Sequence, residues 1–158
     1  MLVTMIVEVP KGSRNKYEMD HESGEIFLDR MLFTATRYPA DYGFIPDTLA
    51  EDDDPLDALA LVSEPTFPGC RIRIRPIGLF VMEDDGKADH KVLGVPERDP
   101  VWSGATDLSG IPGHLLRELE HFFSVYKDLE GTKTATKGWL PITEVAPVLD
   151  AARAAYRA

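Results

Sequence analysis

Six carboxylates fall within eleven residues, at Asp47, Glu51, Asp52, Asp53, Asp54 and Asp57, with no lysine or arginine between them. Such crowding repels itself unless solvent or cations relieve it, and a bare run of acids usually belongs to a solvated loop. This run has a rigid context. Pro55 stiffens its middle, and Asp57 leads straight into the apolar stretch Ala58-Leu59-Ala60-Leu61-Val62. At least one carboxylate is therefore anchored at the end of a core strand, where ordering it costs less. Hard oxygen ligands on a rigid element suit Mg2+. The EF-hand pattern does not fit, because Asp57 stands where that loop needs glycine and Pro55 and Leu56 break the ligand spacing.

The rest of the chain supplies strands first and helices late. Residues 2–9 are dense in β-branched and apolar side chains, and Tyr17–Asp20 and Glu25–Asp29 flank His21-Glu22-Ser23-Gly24 as a hairpin would. Residues 58–63 form a short apolar strand, and Arg71–Arg75 alternates strictly, as a half-buried strand should. Ile77–Met82 and Lys91–Val95 read as two further strands, separated by the acidic loop Glu83–Asp89. Residues 114–129 place Leu115, Leu119, Phe122, Tyr126 and Leu129 on one helical stripe, stopped by Gly131. A second helix begins after Thr143 as N-cap, with Pro147 in its first turn and Leu149, Ala152 and Tyr156 facing inward. This order predicts an α+β fold, mainly β, built as a small closed barrel with two flanking helices.

The 158 residues suit one domain spanning 1–158, with no repeat or linker to divide it. A formal charge of −10 argues against nucleic acid as a partner. Apolar runs fall well short of the ~20 residues a bilayer span needs. The start MLVTMIVEVPKG lacks a basic segment followed by a small-residue cleavage site, so a cytoplasmic protein with no membrane partner is expected. The single cysteine, Cys70, has no His or Lys beside it and reads as a buried small hydrophobe rather than a reactive thiol.

Further groups of polar residues accompany the acidic run. Glu83, Asp84, Asp85 and Asp89 precede Lys91, and on a strand Asp89 and Lys91 share a face. They form either an ordinary charged turn or a carboxylate that holds a metal while the ammonium meets an anion. Lys16 and Glu18 share a strand face, with Glu8 on the preceding strand and Arg30 closing the next one after Asp29. These are structural ion pairs or an anion grip. Tyr38 and Tyr42 flank a tight turn in Arg37–Pro46, and Tyr126 with Lys127 ends the first helix. The acids call for cations, while the bases and phenols call for an anion rich in oxygen. A metal-bound polyphosphate satisfies both. There is no GxxxxGK[ST] string and no Ser-His-Asp order, so a metal-activated water is the natural nucleophile.

At this point the sequence resembles the type I soluble inorganic pyrophosphatases. The string Asp52-Asp53-Asp54-Pro55-Leu56-Asp57-Ala58 matches that family's signature. Pro10-Lys11-Gly12, Asn15-Lys16-Tyr17-Glu18, Leu28-Asp29-Arg30, Tyr38-Pro39, Asp41-Tyr42-Gly43-Phe44-Ile45-Pro46, Lys91-Val92, Val95-Pro96 and His121-Phe122-Phe123 through Tyr126-Lys127-Asp128-Leu129 look like its blocks in its order. The likeness runs over residues 5–130 and includes a possible actinobacterial subgroup feature at His21, which otherwise reads as a simple turn histidine. It implies a five-stranded OB-like barrel that hydrolyses pyrophosphate to two orthophosphates. It implies Mg2+ as cofactor with several ions per site, Mn2+ as a substitute, Ca2+ as an inhibitor, and a homohexamer. It further implies that Asp52, Asp57 and Asp89 hold a first metal, that Asp57 bridges to a second, that Asp84 with Asp89 binds another, and that Glu18 binds one more. Asp54 would steer or deprotonate the attacking water. Lys16, Arg30, Tyr42, Lys91, Tyr126 and Lys127 would grip phosphate, supported by Glu8 and Tyr38. Asp41 departs from the family's usual Asn and carries no implied catalytic role. The rival expectations are a metal-dependent hydrolase of nucleotides or phosphoesters, and a barrel that binds divalent ions without catalysis.

Overall fold

The computed structural model describes residues 1–158. Its first strand, β1 (Val3–Val9), is followed by the hairpin β2 (Asn15–Met19) and β3 (Ile26–Met31), and by two short strands, β4 (Asp41–Phe44) and β5 (Asp57–Ala60). The 14-residue β6 (Arg71–Asp84) turns into β7 (Lys87–Ala88) and then β8 (Lys91–Pro96). Helix α1 (Gly113–Val125), strand β9 (Thr134–Pro141) and helix α2 (Val145–Arg157) complete the chain. Neither helix is long and apolar enough to cross a membrane.

Five strands close on themselves. β1 pairs with β4, β4 with β5, β5 with β8, β8 with β6, and β6 returns to β1. Only the β5–β8 pair is parallel. Closure removes the exposed edges that an open sheet would carry. This is the expected barrel, with β7 and β9 added along β6 and the β2–β3 hairpin standing as a separate ribbon. Strand alternation sends neighbouring residues to opposite faces. Leu59, Phe80 and Leu93 pack with Leu119, Phe122 and Phe123 of α1, whereas Ala58, Leu79 and Val92 pack with Val145, Leu149 and Ala152 of α2. A fully buried side chain such as Leu59 contributes about 1.5–3 kcal/mol.

One glycine is fixed by the closure. A Cβ on Gly43 would lie 1.9 Å from the carbonyl oxygen of Ile6, so β4 can approach β1 this closely only without a side chain there. Gly43 separates Tyr42 from Phe44, and both of those face the cavity described below.

Several expectations are corrected. Arg71–Arg75 and Ile77–Met82 are one strand, not two. Pro76 is accommodated because the register against β8 slips between Pro76 and Gly78, where a missing N–H does least harm. The apolar run after Asp57 is strand only to Ala60. Helix α1 ends at Val125, and Leu129 lies in a following 3-10 turn, 69% exposed and off the buried stripe. Thr143 does not cap α2: it lies inside a 3-10 turn, and Glu144 stands at the helix start without a side-chain cap bond. Pro147 does fall in the first turn of α2, but Tyr156 is exposed. Cys70 is half-exposed against the α2-side core rather than buried. β4 and β9 were not anticipated. β4 is hidden between Pro39 and Pro46, and β9 is interrupted by Gly138 at φ 91° and ends on Pro141.

Candidate active site

One cavity of about 260 Å3 collects residues from most of the chain. β1 contributes Glu8, β2 Lys16 and Glu18, β4 Tyr42, and β5 Asp57. The acidic loop contributes Asp52 and Asp54, the end of β6 gives Asp84, the turn before β8 gives Asp89, and the end of α1 gives Tyr126 and Lys127. A larger groove of about 360 Å3 lies between the acidic loop and α2, but it is mostly apolar and offers only Glu51 and His90 for chemistry.

The pairing register explains the innermost contacts. Parallel pairing sets Asp57 opposite Lys91. The Lys91 ammonium donates to Asp57 Oδ2 at 2.7 Å and to Asp89 Oδ1 at 3.1 Å; Asp89 lies in the turn before β8, so the two meet across that turn and not on one strand face. The Tyr42 hydroxyl donates to the same Asp57 oxygen at 2.9 Å. Lys91 is 1% exposed and lies over the rings of Tyr42 and Phe123 at 5.2 and 5.0 Å. Further out, Lys127 pairs with Asp84, and Lys16 with Glu18. Lys16 also reaches Asp29 at 3.5 Å.

Burial dominates the electrostatics. It raises the Asp57 carboxyl to about 7; Lys91 opposes the shift and the Asp89 charge adds to it. Burial would also raise Asp89, but Lys91, its contact with Asp57 and Lys127 outweigh that, and it lies below the usual carboxylate range. Asp52 is raised by burial, with the charges of Asp89 and Asp54 adding to it. Lys91 is held above its ordinary value: burial alone would lower it, but Asp57 and Asp89 prevail. Burial lifts the phenols of Tyr42, Tyr38 and Tyr126 well above 10, so all three are neutral hydrogen-bond donors at neutral pH.

Glu8 gives a measurable pH effect. It accepts from the Met19 N–H at 2.8 Å, yet burial raises its carboxyl from 4.5 to about 7. The folded protein therefore holds this proton more tightly than the unfolded chain. The associated stability is fully present below pH 4.5 and is lost as pH rises through about 7. In Glu8→Gln, with metal chelated, this loss should vanish. The variant should gain on the order of 2 kcal/mol over wild type at pH 8 and nothing at pH 4. Urea titrations at the two pH values measure it, and an equal difference at both would refute the buried-acid account.

Of the residues singled out in the sequence, Glu8, Lys16, Glu18, Tyr42, Asp52, Asp54, Asp57, Asp84, Asp89, Tyr126 and Lys127 all line the one cavity. Lys91 lies behind its wall, bonded to two of them. Tyr38 is buried behind Tyr42 and against Phe122, with ring centroids 5.4 and 4.7 Å away. Arg30 does not line the cavity: it pairs with Asp29 and with Glu130. His21, read first as a turn residue, faces the cavity edge-on to Phe44, with centroids 4.8 Å apart. Sequence reasoning missed Phe44 and Glu130, and no local pattern marks either. Asp41 is fully buried and accepts from the Lys11 N–H at 2.7 Å, the Thr66 N–H at 3.1 Å and the Thr66 hydroxyl, which is a structural use of its charge.

The donor set suits hard divalent cations. Seven carboxyls line the cavity against two lysines, and burial disfavours the ionised forms of Glu8, Asp52 and Asp57 until positive charge arrives. No three acidic or histidine side chains yet stand grouped around one point, because the inner carboxylates lean on lysine ammonium groups instead.

The chain can be set beside known proteins. The family profile described as Inorganic pyrophosphatase matches residues 5–157. The chain is 51% identical over 153 residues to an inorganic pyrophosphatase of Methanosarcina acetivorans, covering 97% of this chain and 91% of that one. It is 54% identical over 139 residues to one of Streptomyces coelicolor, covering 87% and 85%. Its backbone is similar to the solved inorganic pyrophosphatase of Thermus thermophilus with a TM-score of 0.95 at 42% identity, covering 99% of this chain and 92% of that one. The Helicobacter pylori enzyme also gives 0.95, at 38% identity, covering 98% and 93%. Signature, barrel and cavity thus agree with a likeness that spans nearly the whole sequence, and the chain belongs to the inorganic pyrophosphatase family.

Proposed function

We propose that this chain, acting as one domain over residues 1–158, hydrolyses inorganic pyrophosphate to two orthophosphates. A divalent cation serves as cofactor: Mg2+ is the working ion, Mn2+ a substitute and Ca2+ an inhibitor. The observation that carries the reading is the single cavity in which seven carboxyls face Lys16, Lys127 and the Tyr126 phenol. Asp52, Asp57 and Asp89 would hold one ion, with Asp57 reaching a second. Asp84 with Asp89, and Glu18, would hold others. For Asp57 and Asp89 to share an ion, Lys91 must yield part of its contact with them. When bound, such ions lower the pKa of a shared water and neutralise substrate oxygens.

The protein's own groups do the rest. The acidic loop is pinned by Ala50 N–H to Asp54 carbonyl at 2.7 Å, and by Asp54 N–H to Asp52 Oδ1 at 3.2 Å. Asp53 takes a left-handed φ of 68° between them. This turn keeps Asp54 on the cavity wall without a lysine partner, free to receive or steer the proton of the attacking water. Lys127 and Arg30 would neutralise the departing phosphate and the Tyr126 phenol would donate a hydrogen bond to it, while Lys16, and Lys91 from behind the wall, would balance the phosphate that is attacked. Tyr42 joins them only if its hydroxyl turns away from Asp57.

We place the enzyme in the cytoplasm as a homohexamer. Support for assembly comes from Phe27, Leu28, Met31 and Phe33, large apolar side chains on or beside β3 that are 52–59% exposed and that subunit contacts would cover. The function is tested by phosphate release. Rapid release from pyrophosphate with Mg2+, none with chelator and suppression by added Ca2+ are expected. Release from ATP at a matching rate would replace the assignment with a general phosphohydrolase. Metal binding without any release would leave a non-catalytic barrel.

A further inference from the structure

Arg30 reaches phosphate only if its guanidinium is aimed, and the structure assigns that task to Glu130. Glu130 lies in the 3-10 turn Asp128–Glu130, directly after the cavity residues Tyr126 and Lys127. Its N–H donates to the Lys127 carbonyl at 2.9 Å, and Gly131 at φ 75° ends the turn. The backbone that presents Tyr126 and Lys127 therefore also fixes Glu130. The Glu130 side chain is 11% exposed, and its Oε1 stands 2.8 Å from Arg30 Nε.

Three features separate this contact from a surface ion pair. First, the carboxylate is desolvated, and its second oxygen, Oε2, is buried with no hydrogen-bond partner. Nothing else in the protein uses that charge, so its field acts on Arg30. Second, Arg30 lies between two carboxylates: its Nη1 bonds Asp29, while Glu130 Oε1 stands beside Nε as a charge contact, the buried Nε–H making no hydrogen bond. A guanidinium bonded at Nη1 and drawn to a buried carboxylate on its Nε side is kept from swinging away from this position. Third, Arg30 is within electrostatic reach of the Tyr126 phenol, which faces the cavity. Its position across the β2–β3 ribbon from Lys16 brings a second phosphate-binding candidate alongside.

Glu130 is thus a positioning residue that acts through Arg30, and this rests on the reading of Arg30 as a phosphate contact. It touches neither the cavity nor a candidate metal ligand. Glu130→Gln keeps the shape and removes the charge. With the full chain, Mg2+ and pyrophosphate, kcat/KM should fall about tenfold or more, as misaimed groups do. Mg2+ activation should stay close to wild type, and the fall in kcat/KM should persist at temperatures well below the variant's melting point. Glu130→Asp, which keeps the charge, should recover part of the loss and serves if the Gln variant folds poorly.

The decisive measurement is a double-mutant cycle with Arg30→Ala. If Glu130 acts through Arg30, then adding Glu130→Gln to Arg30→Ala changes kcat/KM by less than about twofold. Additive losses overturn the positioning role while leaving Arg30 as a phosphate contact. An Arg30→Ala enzyme with wild-type kcat/KM overturns both the role of Arg30 and the inference built on it. Wild-type kinetics in Glu130→Gln, with Arg30→Ala impaired, overturns the inference alone.

Discussion

Replacing Asp54 with asparagine is expected to lower kcat at saturating Mg2+ by about a hundredfold to ten-thousandfold, the range that general acid–base groups command. The fold should survive, because Asp54 is exposed and its carboxylate makes no salt bridge. Its main-chain N–H and carbonyl hold the loop, and the substitution leaves both in place. Asparagine keeps the size and the hydrogen-bonding oxygen but cannot accept a full proton. The loss should therefore fall on kcat rather than on KM. Raising the pH should recover part of the rate, since water then ionises with less help. A stopped phosphate-release assay between pH 6 and pH 10 reads both effects. Turnover within a factor of about three of wild type would remove Asp54 from the reaction and move the proton acceptor elsewhere in the cavity.

The cavity was legible in the sequence wherever a residue's chemistry had no structural alternative. Crowded acids beside a core strand call for cations, and Asp52, Asp54 and Asp57 do face one space with Asp84 and Asp89. Asp89 and Lys91 do meet, but Asp89 lies in the turn before β8 and not on one strand face with Lys91. What stayed hidden depended on closure of the barrel. Asp57 and Lys91 are 34 residues apart and meet only because β5 and β8 pair in parallel, a choice that no local pattern encodes. Glu130 reads as an ordinary charge after a helix until the fold brings Arg30 to it. Three of the fold errors share one cause. Pro76, Leu129 and Tyr156 were judged by local rules, and tertiary packing overrode each: a register slip absorbed the proline, and the two apolar side chains were left outside.

Lys91 makes the strongest stability prediction, because it does in the metal-free protein what a divalent ion would do. Its ammonium is 1% exposed and bridges Asp57 and Asp89, whose side chains are only 15% and 11% exposed. Lys91→Met keeps the stem and the contact with the rings of Tyr42 and Phe123, so packing is nearly conserved. What remains is a pair of buried carboxyls with no cation between them. Breaking a buried pair from one side costs about 3–5 kcal/mol. For a chain of this length that is on the order of a 10 °C drop in melting temperature. A competing escape is protonation. Asp57 already sits near 7, and without Lys91 it moves higher, so the variant can neutralise itself in acid. The deficit should therefore be small at pH 5.5 and large at pH 8.5. Mg2+ should reduce it more than it stabilises wild type, because the ion occupies the charge gap that the ammonium leaves. Melting curves at the two pH values, with Mg2+ or with chelator, decide the matter. A deficit independent of both pH and metal would mean that Lys91 stabilises by packing alone, and the cavity's need for positive charge would lose its main support.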